Sequence, residues 1–309
     1  MKIGFIKFGL KTYFNKDGTG QGSNHELVDL FHIFKEHGHE CCMISAADIE
    51  YSNKTKVDYY FVLNGPMCDK PHKPGLNMFD KYFWPYQELL ISDNTPWIYF
   101  QTDPRKEYNV ENNELFDKNK SKLIFTQEKK YYGHLDKLIL YKKQILQTTK
   151  KIEMAIIMNQ TNDKRHREGI SVCDWFNKQN VVIYGKHKKN SKYLAEQIPE
   201  RNLSEFLTQL KYSWNMAVDP NWVSQKYWEM ILHDVICFYQ EYDNSGLLLS
   251  LDDERRVVDP IDVDNKINYL NNNITEYQLW LERQRAEMLP EYLDGEFIYS
   301  FIYSKLQAL

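Results

Sequence analysis

The sequence predicts an α/β protein made of two Rossmann-like, doubly wound parallel-sheet domains facing a cleft. Three observations predict it. Apolar strand-like runs alternate with amphipathic helical periods over most of the chain. Near Gln147-Thr-Thr-Lys-Lys151 the composition turns polar and the alternation starts afresh. Behind the second series, the tail carries helical periods alone. Two successive β-α-β series imply two parallel sheets with ligand held at the carboxyl ends of their strands. The predicted domains are 1–150 and 151–309, with the terminal helices packing back toward the first.

In the first series, strands are expected over Lys2–Phe8, Cys41–Ser45, Tyr59–Asn64, Trp97–Thr102 and Lys122–Thr126. Leu27, Leu30, Phe31 and Phe34 share a helical face, and Gly38 ends that helix. In the second, strands are expected over Glu153–Met158, Val181–Gly185, Trp214–Val218 and Val235–Tyr239. Helices are expected over Arg165–Asn177, Leu203–Tyr212 and Gln225–His233. Val263–Asn271 and Glu276–Glu287 read as helices, Pro290 interrupts, and Phe297–Leu306 repeats aromatics at helical spacing. There is no repeat and no low-complexity linker.

Composition narrows the class. A chain of 309 residues with 42% apolar and 15% aromatic residues has ample core for folding and is not a disordered protein. No run of eighteen apolar residues exists, so no membrane partner is expected. Five cysteines, with no C-x-x-C spacing, point to reduced thiols in a cytosol and away from a zinc site. The net charge of −4 conceals an asymmetry: Lys118–Lys192 holds 18 Lys and Arg against 6 Asp and Glu, a surplus of +12, leaving −16 elsewhere. Such a block, with Lys129, Lys130, Lys142 and Lys143 among aromatics, either solubilises helices or faces a polyanion.

Four places carry residues suited to chemistry. The first strand feeds Asp17-Gly-Thr-Gly-Gln-Gly-Ser-Asn-His-Glu26, where Gly18, Gly20 and Gly22 allow close backbone approach. Its G-x-G-x-G spacing and length do not fit a dinucleotide fingerprint. A loop over a substrate fits better, with Glu26 in the first helical turn either serving a ligand or complementing the helix dipole. Asp103 closes the strand Trp97–Thr102 and precedes Pro104. It is placed either as a base at a strand end or as the start of a turn. Lys164-Arg165-His166-Arg167 opens a helix with cations that suit a diphosphate, or forms a solvated basic turn. Lys226 and Glu229 lie at (i, i+3) on a short helix that runs almost directly into an apolar strand. The cation suits a diphosphate and the carboxylate suits ribose hydroxyls, unless the two form an ion pair on a surface helix. Asp252-Asp253 and Asp262-Val-Asp264 fit helix capping or a loop better than a metal site.

Taken together, these residues resemble two-Rossmann-domain (GT-B) glycosyltransferases, and within them the DNA β-glucosyltransferases of T-even phages, over most of residues 1–287. The likeness is strongest at Met1-Lys-Ile with His25–Phe31, at Trp97–Arg105, at Asn180–Gly185 and at Ser224–Ile236. It implies a donor-contacting glutamate at Glu26 and a catalytic base at Asp103. It further implies a donor helix in which Lys226 holds diphosphate and Glu229 holds ribose. Two departures stand out. Lys226 replaces the family's arginine and offers charge without a bidentate fork. Asn159-Gln160-Thr161 replaces a Gly-Gly-Ser turn, so Arg165 and Arg167 share the phosphate-binding assignment.

The resemblance implies an inverting transfer from a UDP-sugar, with UDP-glucose foremost, to the hydroxymethyl group of a modified pyrimidine in double-stranded phage DNA. Lys129, Lys130, Lys142 and Lys143 would meet the DNA. The setting would be the cytoplasm of an infected host cell and the protein a monomer. No metal ligands are assigned, and a divalent ion beside the diphosphate is left open. Two other readings stand: a GT-B enzyme with a lipid, polysaccharide or small-molecule acceptor, and a DNA- or nucleotide-binding module without catalysis.

Overall fold

The structure is a computed structural model that describes residues 1–7, 25–44, 56–63, 94–102, 121–126, 133–134, 149–157, 182–184, 194–195, 198, 200–215, 225–240, 254–286 and 295–309. The chain forms two compact units, Met1–Lys142 with Glu291–Leu309, and Lys143–Pro290.

The first unit holds β1 (Lys2–Lys7), β2 (Glu40–Ile44), β3 (Tyr59–Leu63), β4 (Trp97–Gln101), β5 (Ser121–Thr126) and β6 (Gly133–His134). All described pairings are parallel, in the order β2-β1-β3-β4-β5-β6. The chain steps outward from β1 to β2, then returns to the other side of β1 for β3. Ligands of open α/β sheets bind beyond the carboxyl ends of strands at such a reversal.

Helix α1 (His25–Glu36) connects β1 to β2, so its first turn lies at the carboxyl edge of the sheet. Leu27, Leu30, Ile33 and Phe34 form its buried stripe. Gly38 ends it at φ +81°, in the left-handed region that glycine enters without penalty. Beneath α1 runs a row of phenylalanines. Phe5 lies 5.2 Å from Phe61, Phe61 5.2 Å from Phe100, and Phe100 stacks on Phe125 at 5.1 Å. Phe34 meets Phe61 edge-on at 5.0 Å. Each such pair contributes about 0.5–1.5 kcal/mol beyond its buried area.

A terminal helix, Glu296–Gln307, returns to this unit and buries Ile298, Ile302 and Leu306. Phe301 packs on Phe125, and Tyr299 stacks on His37 at 3.6 Å. His37 Nε2 bonds Glu296 Oε2 at 3.0 Å, and His39 Nε2 bonds the Tyr299 hydroxyl at 3.0 Å. Gly295 opens this helix at φ +84°, where an added Cβ would lie 2.7 Å from Ile33 Cγ1.

The second unit contains β7 (Ile152–Ile157), β8 (Val182–Tyr184), β9 (Leu194–Ala195), α2 (Glu200–Gln209), β10 (Leu210–Asn215), α3 (Gln225–Leu232), β11 (Ile236–Gln240), β12 (Arg256–Val257), α4 (Pro260–Asn272) and α5 (Ile274–Ala286). The helix Glu296–Gln307 is α6. The strands pair in parallel in the order β12-β11-β10-β7-β8-β9. Counted from β7 this is the 3-2-1-4-5-6 order of dinucleotide-binding folds, reversing between β7 and β10. Met154, Ile156, Tyr212, Trp214, Ile236 and Phe238 line the sheet face covered by Val263, Ile267 and Leu270 of α4 and Tyr277, Trp280 and Leu281 of α5.

The α/β class with two parallel sheets is therefore as expected, with one local correction. The sequence predicts helix over Leu203–Tyr212 and strand over Trp214–Val218, whereas the helix stops at Gln209 and β10 begins at Leu210. Leu210, Tyr212 and Trp214 alternate with Lys211 and Ser213, and their backbone pairs with β7 at Leu210↔Ile152 and Tyr212↔Met154. Sheet pairing overrides the helical period that runs into them. The two-residue strands β6, β9 and β12 extend the sheets beyond the predicted set. Among the described residues no helix is long and apolar enough to cross a membrane.

Candidate functional site

Each unit gathers buried polar side chains at, or on the helix that begins at, the carboxyl edge of its sheet. In the first, β4 is buried at all five positions because β3 and β5 flank it. Its apolar run closes on Gln101 and Thr102, exposed by only 1% and 5%. Thr102 Oγ1 donates to Glu26 Oε1 at 3.4 Å, and Thr126 Oγ1 at the end of β5 donates to Gln101 Oε1 at 3.4 Å. Glu26 is itself buried, in the first turn of α1. Burying a carboxylate costs several kcal/mol unless hydrogen-bond donors and a favourable dipole meet it. The first-turn position and the Thr102 hydroxyl supply one of each.

In the second unit, α3 follows β10 at the reversal point, and its first turn therefore belongs to the carboxyl edge. Its described side chains are not those of a solvated surface helix. Tyr227, Trp228, Glu229, Met230, Ile231 and Leu232 are all buried. Lys226 lies in the first turn of α3.

The far end of α3 is held by an extensive polar network. His233 bridges Ser204, through Nε2 at 2.7 Å, and the Glu229 carbonyl, through Nδ1 at 2.7 Å. The carbonyl can only accept, so Nδ1 carries a proton, and in the neutral ring Nε2 then accepts from the Ser204 hydroxyl. Asp234 follows at φ +55° and takes two bonds from Arg285, from Nε and Nη2, each 2.6 Å. Lys150 Nζ donates to the His233 carbonyl at 2.6 Å. Burial pushes the Lys150 ammonium down to about 8, partly opposed by the charge of Asp234. Fully buried Gln284 of α5 accepts from the Cys237 N–H at 3.1 Å and donates to the Val235 carbonyl at 2.6 Å. Arg255 donates to the Tyr227 hydroxyl at 3.0 Å. Helix α3 is thus fixed at its carboxyl end by α2, α5 and the chain before β7.

Of the residues singled out from sequence, Glu26 and Glu229 are buried as described, and Lys226 is placed by its backbone on α3. Asp103, Arg165, Arg167, Lys129, Lys130, Lys142 and Lys143 lie outside the described residues, as do the glycine-rich loop and Asp252-Asp253. Asp262 is a capping residue: its N–H donates to the Asp259 carboxylate at 2.8 Å and its own carboxylate accepts from the Val258 N–H at 3.2 Å. Among the described residues no group of three or more His, Cys, Asp or Glu is placed to hold a metal ion. Gln101, Thr102 and Thr126 were missed by sequence reasoning. The signal was there, in polar residues terminating the two apolar runs Trp97–Thr102 and Leu123–Thr126.

The fold is shared with glycosyltransferases of the two-Rossmann GT-B class. A crystal structure of the DNA-modifying enzyme beta-glucosyltransferase, with and without uridine diphosphoglucose, is similar over 99% of this chain and 100% of that one, with a TM-score of 0.67 at 15% identity. T4 phage beta-glucosyltransferase in complex with its UDP-glucose substrate matches with a TM-score of 0.61 at 14% identity, covering 99% of each chain. An alpha1,3-fucosyltransferase with GDP-fucose matches more distantly, at 0.51 and 10%, over 99% of this chain and 90% of that one. No protein-family model matches the sequence, and no curated protein does.

Proposed function

We propose that the protein is an inverting glycosyltransferase that moves a sugar from a UDP-sugar, with UDP-glucose the first candidate, to the hydroxymethyl group of a modified pyrimidine in duplex DNA. The observation that carries this reading is the full-length likeness to the DNA-modifying beta-glucosyltransferase. Buried Glu26 and Glu229, associated with the two parallel sheets, are in keeping with it.

In this mechanism Asp103 takes the proton of the hydroxymethyl group as its oxygen attacks the anomeric carbon from the face opposite the nucleotide. The bond from that carbon to the diphosphate oxygen breaks, and UDP leaves with the electron pair. Lys226, with Arg165 or Arg167, balances the charge developing on the diphosphate, Glu229 accepts from the ribose hydroxyls and Glu26 contacts the donor. The target base leaves the stack to bring its hydroxymethyl group to Asp103. Lys129, Lys130, Lys142 and Lys143 neutralise phosphates of the duplex.

The test incubates hydroxymethylated duplex DNA with a panel of UDP- and GDP-sugars, with and without EDTA, and weighs the released nucleosides by mass spectrometry. A sugar-sized mass increase is expected, and Asp103→Asn should reduce it by about 10²–10⁴ in rate with UDP binding largely retained. Glu229→Ala and Lys226→Ala should each weaken UDP binding in calorimetry. No mass change with any donor, together with no nucleotide binding, would sink the reading.

A further inference from the structure

We propose that Thr102 is a positioning residue. Its hydroxyl holds the Glu26 carboxylate against the carboxyl end of β4, and this contact sets how productively the nucleotide sugar is turned over. The inference rests on the glycosyltransferase reading above.

Three observations carry it. Thr102 Oγ1 and Glu26 Oε1 are 3.4 Å apart, and both residues are only 5% exposed. The contact joins the first turn of a helix to a central strand, 76 residues apart in sequence. The alternation of β4 puts Thr102 on the same face as Ile98 and Phe100, where Phe61 packs on Phe100 and Phe34 of α1 meets Phe61 edge-on. Packing at Leu27, Leu30 and Phe34 fixes the height and rotation of α1. The Thr102 hydroxyl adds a donor to a buried carboxylate at the start of that helix. On the other face, Thr126 holds Gln101. The two residues preceding Asp103 are therefore tied down on both sides of the sheet.

A double-mutant cycle of Thr102→Val and Glu26→Gln, with Thr102→Ser as the conservative variant, tests the inference. The readouts are kcat and KM for UDP-glucose hydrolysis and DNA glucosylation, Kd for UDP alone, and Tm. Thr102→Val should lower kcat/KM roughly tenfold, the size of one lost hydrogen bond to a charged group. It should leave the Kd for UDP unchanged, and Thr102→Ser should restore most of the activity. In the Glu26→Gln background, the Thr102→Val effect should shrink to about twofold or less. Additive effects, or a Thr102→Ser variant as poor as Thr102→Val, would overturn the inference while an active wild type kept the glycosyltransferase reading. A wild type that neither binds nor hydrolyses any nucleotide sugar would overturn both.

Discussion

Replacing Asp234 by Asn should destabilise the second unit by about 2 kcal/mol and loosen the helix that carries Lys226 and Glu229. Asp234 joins α3 to β11, and its carboxylate, 6% exposed, receives two 2.6 Å bonds from Arg285. Removing one partner of a fully buried pair costs about 3–5 kcal/mol, whereas an exposed pair is worth about 0–1 kcal/mol. The Arg285 side chain is 33% exposed, so water takes over part of its solvation and the cost falls between these limits. Asparagine tolerates the φ of +55°, so this variant isolates the charge. Asp234→Ala should cost roughly 1–2 kcal/mol more, because alanine lacks that tolerance. A chain of two units need not unfold in one step. The assay is therefore native-state hydrogen exchange at the amides of β11, beside Cys237 and Phe238. Protection unchanged to within about 0.5 kcal/mol in Asp234→Asn would refute the reasoning and reduce the ion pair to decoration.

Gly295→Ala should lower the stability of the first unit by about 1–3 kcal/mol, through both its positive φ and the clash with Ile33. Thermal unfolding of Gly295→Ala, Ile33→Ala and their double variant separates the two causes, because alanine at 33 removes both Cγ1 and Cδ1. For Lys150 the folded-state value of about 8 lies below the ordinary 10.5, so between these values the unfolded chain binds more protons and stability rises with pH. Lys150→Met should flatten that rise in denaturation curves taken from pH 7.5 to 10. If duplex DNA is the acceptor, its affinity should fall log-linearly with salt, and glutamates at Lys129, Lys130, Lys142 and Lys143 should raise KM for DNA at unchanged UDP affinity. Salt-independent turnover on hydroxymethylated DNA would count against that surface.

The strands read most clearly from sequence are those whose local pattern and final burial agree. Tyr59–Leu63 and Trp97–Gln101 are apolar runs that became central strands, and Val235–Tyr239 announced itself by following a helix almost without a loop. Leu210–Tyr212 was misread because Leu203, Phe206, Leu207 and Leu210 continue a helical period into residues whose partners are in β7. Two-residue strands such as Leu194–Ala195 have no signature of their own, since the neighbouring strand alone dictates them. At the candidate site, the (i, i+3) spacing of Lys226 and Glu229 was legible. The clamp around their helix was not, because Ser204, Asp234, Gln284 and Arg285 meet only through long-range packing. No local pattern couples residues 29 to 51 positions apart.

The return of α6 to the first unit has a consequence for how the chain is made. Ile298, Ile302, Phe301 and Tyr299 complete a face whose other members, among them Phe34, His37, His39 and Phe125, leave the ribosome long before them. Residues 143–290 must be synthesised in between. At about 5–20 residues per second, that stretch alone keeps Phe125 waiting roughly 7–30 s for the packing that Phe301 supplies. The second unit, continuous in sequence, has no such wait. The nascent first unit thus carries an apolar face for that interval, and its late-arriving helix makes the first unit complete only after every residue of the second has been synthesised.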